Sequence, residues 1–492
     1  MSRQRGKKPH ADIDFTLRRV FGKSSFRPYQ REIITAALEG HDVFVQAATS
    51  FGKSLCFQLP AMIDHGITIV ISPLLALMNN QVAAMRAASI PVATINSNTL
   101  LVERDDIYKD LCCGHPMTRL VYVTPELVLT ESFRRVLGTI YKQGELARVA
   151  IDEAHCISEW GHDFRPAYCH LSHFRSAYPS VPIICLTATA TPSIRGDIIK
   201  TIGLDPSTTK TFVASITRRN LVYEVLYTSD ESDNRFSWLL AWLQTIYNRR
   251  ANDPSRSQEI SNEASVNVQR PDAISGIIYV SFRSDCDALS SRLREKGIGA
   301  AAYHAGLSPH ERIECQRKWI ENAPGHDIIV ATTAFGMGID KQDVRFVVHW
   351  TLPKSFEGYY QEAGRAGRDG KLARCLLFYS REDRDRVGYR IGKDSRNGGG
   401  NGDEGSRNRE IQLKSRADSF QALVKYCERT DRCRHLGIGE FFGEQNVMPC
   451  DRACDHCIEG EGLKKRKNEG LASEEWVSTQ RERSDFYGEG YD

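Results

Sequence analysis

The sequence predicts an α/β chain: two tandem parallel-sheet lobes followed by a small helical, cysteine-rich module. Three observations predict it. Short β-branched runs alternate with helical stretches, the pattern of parallel strands joined by crossover helices. The pattern runs once and then restarts after a polar interval. Four of the 14 cysteines, Cys433, Cys450, Cys454 and Cys457, are spaced like metal ligands near the end of the chain.

In the first half the strand candidates are Asp42–Ala48, Ile67–Pro73, Leu120–Thr124, Val149–Glu153 and Ile183–Thr187. In the second they are Gly276–Phe282, Ala300–His304, Asp327–Thr332, Phe346–Trp350 and Cys375–Tyr379. Near-continuous apolar strands of this kind suit a sheet covered by helices on both faces. The boundaries read as a basic N-terminal tail (1–14), a first lobe (15–212) and a second lobe (213–380) interrupted by a polar insertion at 248–271. A linker follows at 381–410, flexible around Asn-Gly-Gly-Gly-Asn-Gly. The cysteine module occupies 411–460, and a charged, disordered tail 461–492, including Lys464-Lys465-Arg466-Lys467, completes the chain.

Composition narrows the function class. A net charge of +3 over 492 residues does not by itself argue for a polyanion partner. No apolar run reaches the roughly 18 residues of a membrane span, and the basic N-terminus lacks the apolar stretch of a secretory signal. The expected setting is intracellular, where disulfides are rare. The ten cysteines from Cys56 to Cys427 therefore read as buried thiols.

The chemistry begins where the first strand runs into Ala47-Ala48-Thr49-Ser50-Phe51-Gly52-Lys53-Ser54 and a helix. Backbone N–H groups of Thr49, Ser50, Phe51 and Gly52 can cradle phosphates at the helix N-terminus. Lys53 reaches the β- and γ-phosphates, and Ser54 holds Mg²⁺. Ala47 stands where the strict pattern has glycine, so alone the motif competes with a chance Gly-Lys-Ser. Asp152-Glu153-Ala154-His155 at a later strand end decides between them: Asp152 suits the Mg²⁺ shell, and Glu153 can orient or deprotonate the attacking water. In the second lobe, Gln361–Gly370 sets Arg365 and Arg368 three apart, hence on one face if the segment is helical. Alone they could cap or salt-bridge that helix. Across a cleft from a phosphate loop they are placed to neutralise phosphoryl charge.

With these residues placed, the sequence from about 15 to 457 is similar to superfamily 2 helicases, and within them to the RecQ family. The resemblance implies two RecA-like lobes, ATP, Mg²⁺ and Zn²⁺ as cofactors, and His155 as a further member of the catalytic set. Phe26-Arg27-Pro28-Tyr29-Gln30 resembles the family's adenine motif, with Gln30 on the base edge and Arg27 on the ring. Gly338 and Asp340, within Ala331–Lys341, are implied to line the nucleotide. Ser72 and Pro73 in the first lobe, and Ser281, Arg283, His304 and Thr332 in the second, fall in motifs that track the nucleic-acid backbone.

Cys156–Pro166 resembles the aromatic-rich loop that couples single-strand binding to hydrolysis in RecQ enzymes. Trp160 and Phe164 can stack on bases, each worth about 1–3 kcal/mol, with His162 and Arg165 beside them; the two aromatics could instead be core residues. The four late cysteines resemble the family's zinc subdomain, a closed tetrahedral thiolate site, with Cys427 and His456 as possible substitutes. Ser50 and Phe51 stand where the family's loop usually has glycines, so Phe51 requires a negative φ.

The resemblance implies an ATP-dependent 3′–5′ DNA helicase acting on single-stranded and forked DNA. It would be monomeric, without membrane association, and located in the nucleus of a eukaryote or otherwise in the cytoplasm. The roughly 35 polar residues after Cys457 cannot build a winged helix, so the expectation is a chain truncated after the zinc subdomain. Two alternatives stand beside this: an RNA helicase or remodeller on the same lobes, and a DNA-binding protein with a degenerate ATP site.

Overall fold

The computed structural model of the chain describes residues 11–158, 165–228, 232–251, 274–336, 339–394, 403–445 and 447–472. The first lobe is a seven-stranded sheet of β1 (Val43–Gln46), β2 (Ile67–Ile71), β3 (Val92–Ile95), β4 (Leu120–Val123), β5 (Leu146–Ile151), β6 (Ile183–Thr187) and β7 (Lys210–Val213). The strands lie in the order β3-β4-β2-β5-β6-β1-β7, and every pairing is parallel. The second lobe holds β8 (Leu221–Tyr227), β9 (Gly276–Tyr279), β10 (Ala300–Tyr303), β11 (Ile328–Ala331), β12 (Phe346–His349) and β13 (Ala373–Tyr379). Its order is β10-β11-β9-β12-β13-β8, again wholly parallel.

Successive strand residues point to opposite faces, so each sheet builds two cores. In the first lobe Phe44, Ile69, Val121, Val149 and Ile183 pack on one side, with Val43, Val45, Val70, Tyr122 and Ile184 on the other. Every expected strand is present, most of them one or two residues shorter at the C-terminal end, where the chain leaves the sheet to form a loop. Three strands were not expected. β3 and β7 are sheet edges with alternating or exposed side chains, so they lack the continuous apolar signature. β8 is also an edge, yet six of its seven residues are buried.

What covers β8 is the cysteine module. Tyr223 N–H donates to Ala453 O at 3.2 Å, and Val225 N–H to Asp455 Oδ2 at 3.0 Å. The buried His435 Nε2 lies 3.1 Å from the Leu221 and Ala453 carbonyls. Arg434 donates from Nε and Nη2 to the two Asp455 oxygens at 2.8 and 3.0 Å, and the two side chains are 1% and 0% exposed. A sheet edge that would otherwise present free N–H and C=O groups is thus capped from within the chain.

Several sequence expectations are corrected here. The expected linker 381–410 is largely helical: Arg381–Asp394 and Asp403–Glu428 form two helices packed on each other, and 395–402 lies outside the described residues. Of the expected disordered tail, 462–472 is a helix whose Leu463 and Leu471 are buried, and 473–492 lies outside the described residues. Its basic run is not simply solvated: Arg466 pairs with Glu459 at 2.9 Å, and Lys467 Nζ donates to Glu428 O at 2.6 Å. The polar insertion begins later than 248, because the helix Ser232–Ala251 runs through it; 252–273 lies outside the described residues. Of the ten scattered cysteines, Cys113 is exposed and Cys112, Cys169 and Cys315 are half-buried, while the rest are buried.

Removing the Asp455 carboxylate strands the buried Arg434 guanidinium, a loss of about 3–5 kcal/mol. Asp455→Ala is therefore expected to lower the melting temperature and to open the module to limited proteolysis ahead of the lobes. A variant as stable and protease-resistant as the parent would contradict the clamp.

Candidate functional site

In a parallel sheet all strand C-termini lie on one edge, which is where such sheets bind ligands. The loops after β1, β2, β4, β5 and β6 carry the phosphate loop, Ser72-Pro73, Thr124, Asp152-Glu153 and Thr189. The phosphate loop turns through Ser50 at φ 78° and Gly52 at φ 80°, while Phe51 keeps a negative φ and packs against the first-lobe core. A left-handed serine costs roughly 1–2 kcal/mol, which the Phe51 anchor helps to offset. Among the described residues Gly52, Lys53 and Ser54 give no main-chain N–H to a main-chain carbonyl, leaving these donors at the helix start for an anion.

Lys53 Nζ rests on the carbonyls of Ala47 and Ala48 at 3.1 and 3.4 Å. Burial lowers its pKa, against the pull of Glu153 and Asp152. Asp152 is 4% exposed, and burial raises its pKa against Lys53 and the Gln81 amide. The Ser54 hydroxyl makes no capping bond, so it is available for a hard cation such as Mg²⁺. Thr49 meets the second lobe: a side chain on Gly364 would come within 3.5 Å of its Cβ.

Gln30 is 3% exposed and already engaged. Its Oε1 accepts from Arg27 N–H at 2.9 Å, and its Nε2 donates to the Phe51 and Gly52 carbonyls at 2.8 and 3.3 Å. With both amide hydrogens used, it can serve a base edge only as an acceptor, toward an exocyclic amine. Arg27 is exposed.

From His155, beside Glu153, a hydrogen-bonded chain reaches the second lobe. Glu153, at φ 49°, lies 3.3 Å from His155 Nδ1, which lies 3.0 Å from Thr187 Oγ1. Thr189 N–H donates to that same hydroxyl at 3.1 Å, and Gln361 Nε2 donates across the cleft to Thr189 Oγ1 at 3.1 Å. Beyond Gln361, Arg365 is 5% exposed beside the Tyr279 hydroxyl. Arg368 donates to Asp340 Oδ1 at 2.9 Å and acts electrostatically on Lys53, while burial, with Arg365 beside it, lowers its own pKa. Sequence reasoning missed the scaffold of this segment: Arg218 donates to Gly364 O at 2.9 Å, and Asn220 to Gly367 O at 2.8 Å. Neither residue lies in a motif, so nothing in the sequence marked them.

Other expected site residues are placed differently from expectation. Asp340, expected at the nucleotide, pairs with Arg368 and accepts from Gln342 at 2.7 Å, so its reach to ligand runs through an arginine. Ser72 and Pro73 are buried at the end of β2, and Arg165 Nη1 donates to the Pro73 carbonyl at 2.7 Å instead of standing free for a phosphate. His304 is 6% exposed, held by Asp287 at 3.3 Å and Gly306 N–H at 3.2 Å. Their backbone-tracking role would need the strand to meet main chain here. Ser281 shares a hydrogen bond with Thr351 at 2.8 Å, Thr332 is half-buried, and Arg283 is exposed. Trp160, His162, Phe164 and Gly338 lie outside the described residues.

The four late cysteines converge, with all sulfurs within 4.8 Å of one another. Cys433–Cys450 and Cys450–Cys454 are 3.5 Å apart and Cys454–Cys433 3.9 Å. These separations are too long for disulfides and match the roughly 3.8 Å edge of a tetrahedral zinc thiolate. Neither proposed substitute joins them: Cys427 is no part of the cluster, and His456 Nδ1 is bound to Thr430 O at 2.9 Å.

Three family descriptions match in order: DEAD/DEAH box helicase at 27–196, helicase conserved C-terminal domain at 261–370 and RecQ zinc-binding at 381–458. The chain is 39% identical over 469 residues to the ATP-dependent DNA helicase Q5 of Rattus norvegicus, covering 94% of this chain and 45% of that one. It is 40% identical to the RecQ-like DNA helicase BLM of Xenopus laevis, covering 93% of this chain and 31% of that one. It thus spans less than half the length of both relatives. Among solved structures it resembles the DUF1998 helicase MrfA bound to DNA and AMPPNP, with TM-score 0.58 at 17% identity, covering 79% of this chain and 53% of that one. That likeness concerns the fold.

Cys454→Ser is expected to release zinc and loosen the cover over β8, since Cys454 lies between Ala453 and Asp455, which take the Tyr223 and Val225 N–H groups. Metal content by atomic emission checks it; one zinc per chain retained in the variant would overturn the ligand set.

Proposed function

The chain belongs to the RecQ family of DNA helicases, and on that premise we propose that it couples ATP hydrolysis to 3′–5′ translocation on single-stranded DNA and to duplex unwinding. The processes it would serve are DNA recombination, repair and replication, on single-stranded and forked DNA, by a monomer in the nucleus.

The observation that carries this reading is the meeting of the lobes at the phosphate loop. Lys53, Asp152 and Glu153 come from the first lobe, and Arg368 acts on Lys53 from the second. Lys53 exchanges its carbonyl partners for the β- and γ-phosphates. Mg²⁺, held by Ser54 and Asp152, neutralises phosphate charge when bound. Glu153 orients the attacking water and takes its proton. Arg365 and Arg368 stabilise charge on the transferring group, a contribution a first-lobe residue could not make conditional on closure. Because Gln361 bonds Thr189 across the cleft, loss of the γ-phosphate is felt by both lobes. The opening and closing that follows is the step of the motor. Trp160 and Phe164 would sense the strand.

Lys53→Ala is expected to lose at least about 100-fold in hydrolysis, the scale for one preorganised donor, at unchanged melting temperature. Steady-state turnover without polymer, with single-stranded DNA and with matched RNA tests the whole reading. Stimulation by DNA, and unwinding only of forks with a 3′ tail, is expected. Stimulation by RNA alone would move the chain to the RNA branch, and no turnover with either would leave a binding protein.

A further inference from the structure

The Asp152 carboxylate does not stand alone. Its Oδ2 accepts from Gln81 Nε2 at 3.2 Å, while its Oδ1 accepts from Glu153 N–H at 3.1 Å. Gln81 lies on the helix Leu75–Ala87, which starts immediately after Ser72-Pro73-Leu74. Its other amide atom, Oε1, accepts from the Tyr122 hydroxyl at 3.0 Å and from Gln58 Nε2 at 3.4 Å, and Gln58 Nε2 also donates to Tyr122 at 2.9 Å. Tyr122 lies on β4 just before Thr124-Pro125-Glu126, and Gln58 on the helix of the phosphate loop. One amide therefore joins four segments.

Its orientation is forced. Flipping Gln81 would turn its oxygen toward an ionised carboxylate and its amino group toward the Gln58 amino group, two repulsions in place of two bonds. The helix is pinned on the same side by buried Met78, Val82 and Met85. A shift of its first turn is therefore carried to Gln81 as a rigid movement.

We propose that Gln81 is a positioning residue that transmits strand contact at residues 72–74, where its helix begins, to the metal-holding carboxylate. This rests on the nucleotide reading above. The carboxylate's second oxygen is fixed for Mg²⁺ only while the Gln81 amide is in place. Groups of this kind, behind a metal ligand, change metal affinity by roughly 10–100-fold when removed.

The test uses the full chain and mant-ADP, titrated with and without Mg²⁺, together with DNA-stimulated hydrolysis. Gln81→Leu keeps the volume and removes the donor. It is expected to reduce the Mg²⁺-dependent gain in mant-ADP affinity by about 10-fold or more, with metal-free mant-ADP affinity and single-stranded DNA affinity unchanged. Stimulation by DNA should fall further than basal turnover. Tyr122→Phe, which removes one of the two donors to Gln81 Oε1 and an acceptor of Gln58 but keeps the Gln81 donor, should show a smaller loss in the same direction, and it carries the test if Gln81→Leu fails to fold. A Mg²⁺-dependent gain equal to the parent's in both variants overturns the proposal while leaving the nucleotide site intact. A parent chain with no mant-ADP binding overturns the site reading itself, and Gln81 with it.

Discussion

Parallel pairing fixes where chemistry can happen in this chain. Because every pairing in both sheets is parallel, loops far apart in the sequence emerge along one edge. Lys53, Asp152 and Thr189 are neighbours because β1, β5 and β6 are neighbours pointing the same way. The second sheet is built by the same rule. A site assembled from two such edges is complete only when they face each other, so the constraint that gathers the residues also makes the site depend on how the lobes stand.

The second consequence is electrostatic. Arg368 faces Lys53 on one side and Arg365 on the other, and burial pushes the pKa of Lys53 and Arg368 downward. The Nε atoms of Arg365 and Arg368 are buried without a hydrogen-bond partner among the described residues. Desolvated cationic donors of this kind cost about 1–3 kcal/mol or more each in isolation. A polyphosphate answers all of them at once. The strain is matched on the acidic side, where Asp152 is kept buried by the amide of Gln81 and the Lys53 charge. The site is thus organised for an anion before one arrives, which is the condition for electrostatic stabilisation without reorganisation.

Legibility in the sequence followed burial and periodicity. Central strands such as β2, β5 and β11 were plain because both faces are covered, so almost every residue is apolar. β7, with two exposed residues of four, carries no such signal. The phosphate loop and Asp152-Glu153 were legible because their chemistry demands fixed residue types. Gln81 was not, although it leaves a trace: a glutamine on the Met78, Val82, Met85 side of a helix is polar where the period calls for an apolar residue. The burial of His304 and Ser72 was not legible for a different reason. A motif identifies a segment, but which of its atoms face solvent is decided by the sheet, and the end of a buried strand is itself buried. The helix at 462–472 shows the limit of composition: a basic run reads as solvated until a carboxylate and a carbonyl end are placed beside it.

The cysteine module follows from the position of β8. Edge placement leaves one row of its backbone groups unpaired, while its side chains are too apolar to face water. Covering it with another strand would extend the sheet and present a new edge. The chain instead covers it with a knot of short helices, which have little core of their own and need a cross-link to hold shape. Four clustered sulfurs are placed to supply it, and Ala453, next to Cys454, ties the cluster to the strand by accepting from Tyr223 N–H. Asp455, on the other side of Cys454, turns the same turn into a lock by taking Arg434 and the Val225 N–H together. The module meets the second lobe at two places: at β8, which pairs along its whole length with β13, and at the helix Phe356–Ala363, where Phe356 and Tyr360 pack on Phe441 and Phe442 just ahead of Arg365 and Arg368.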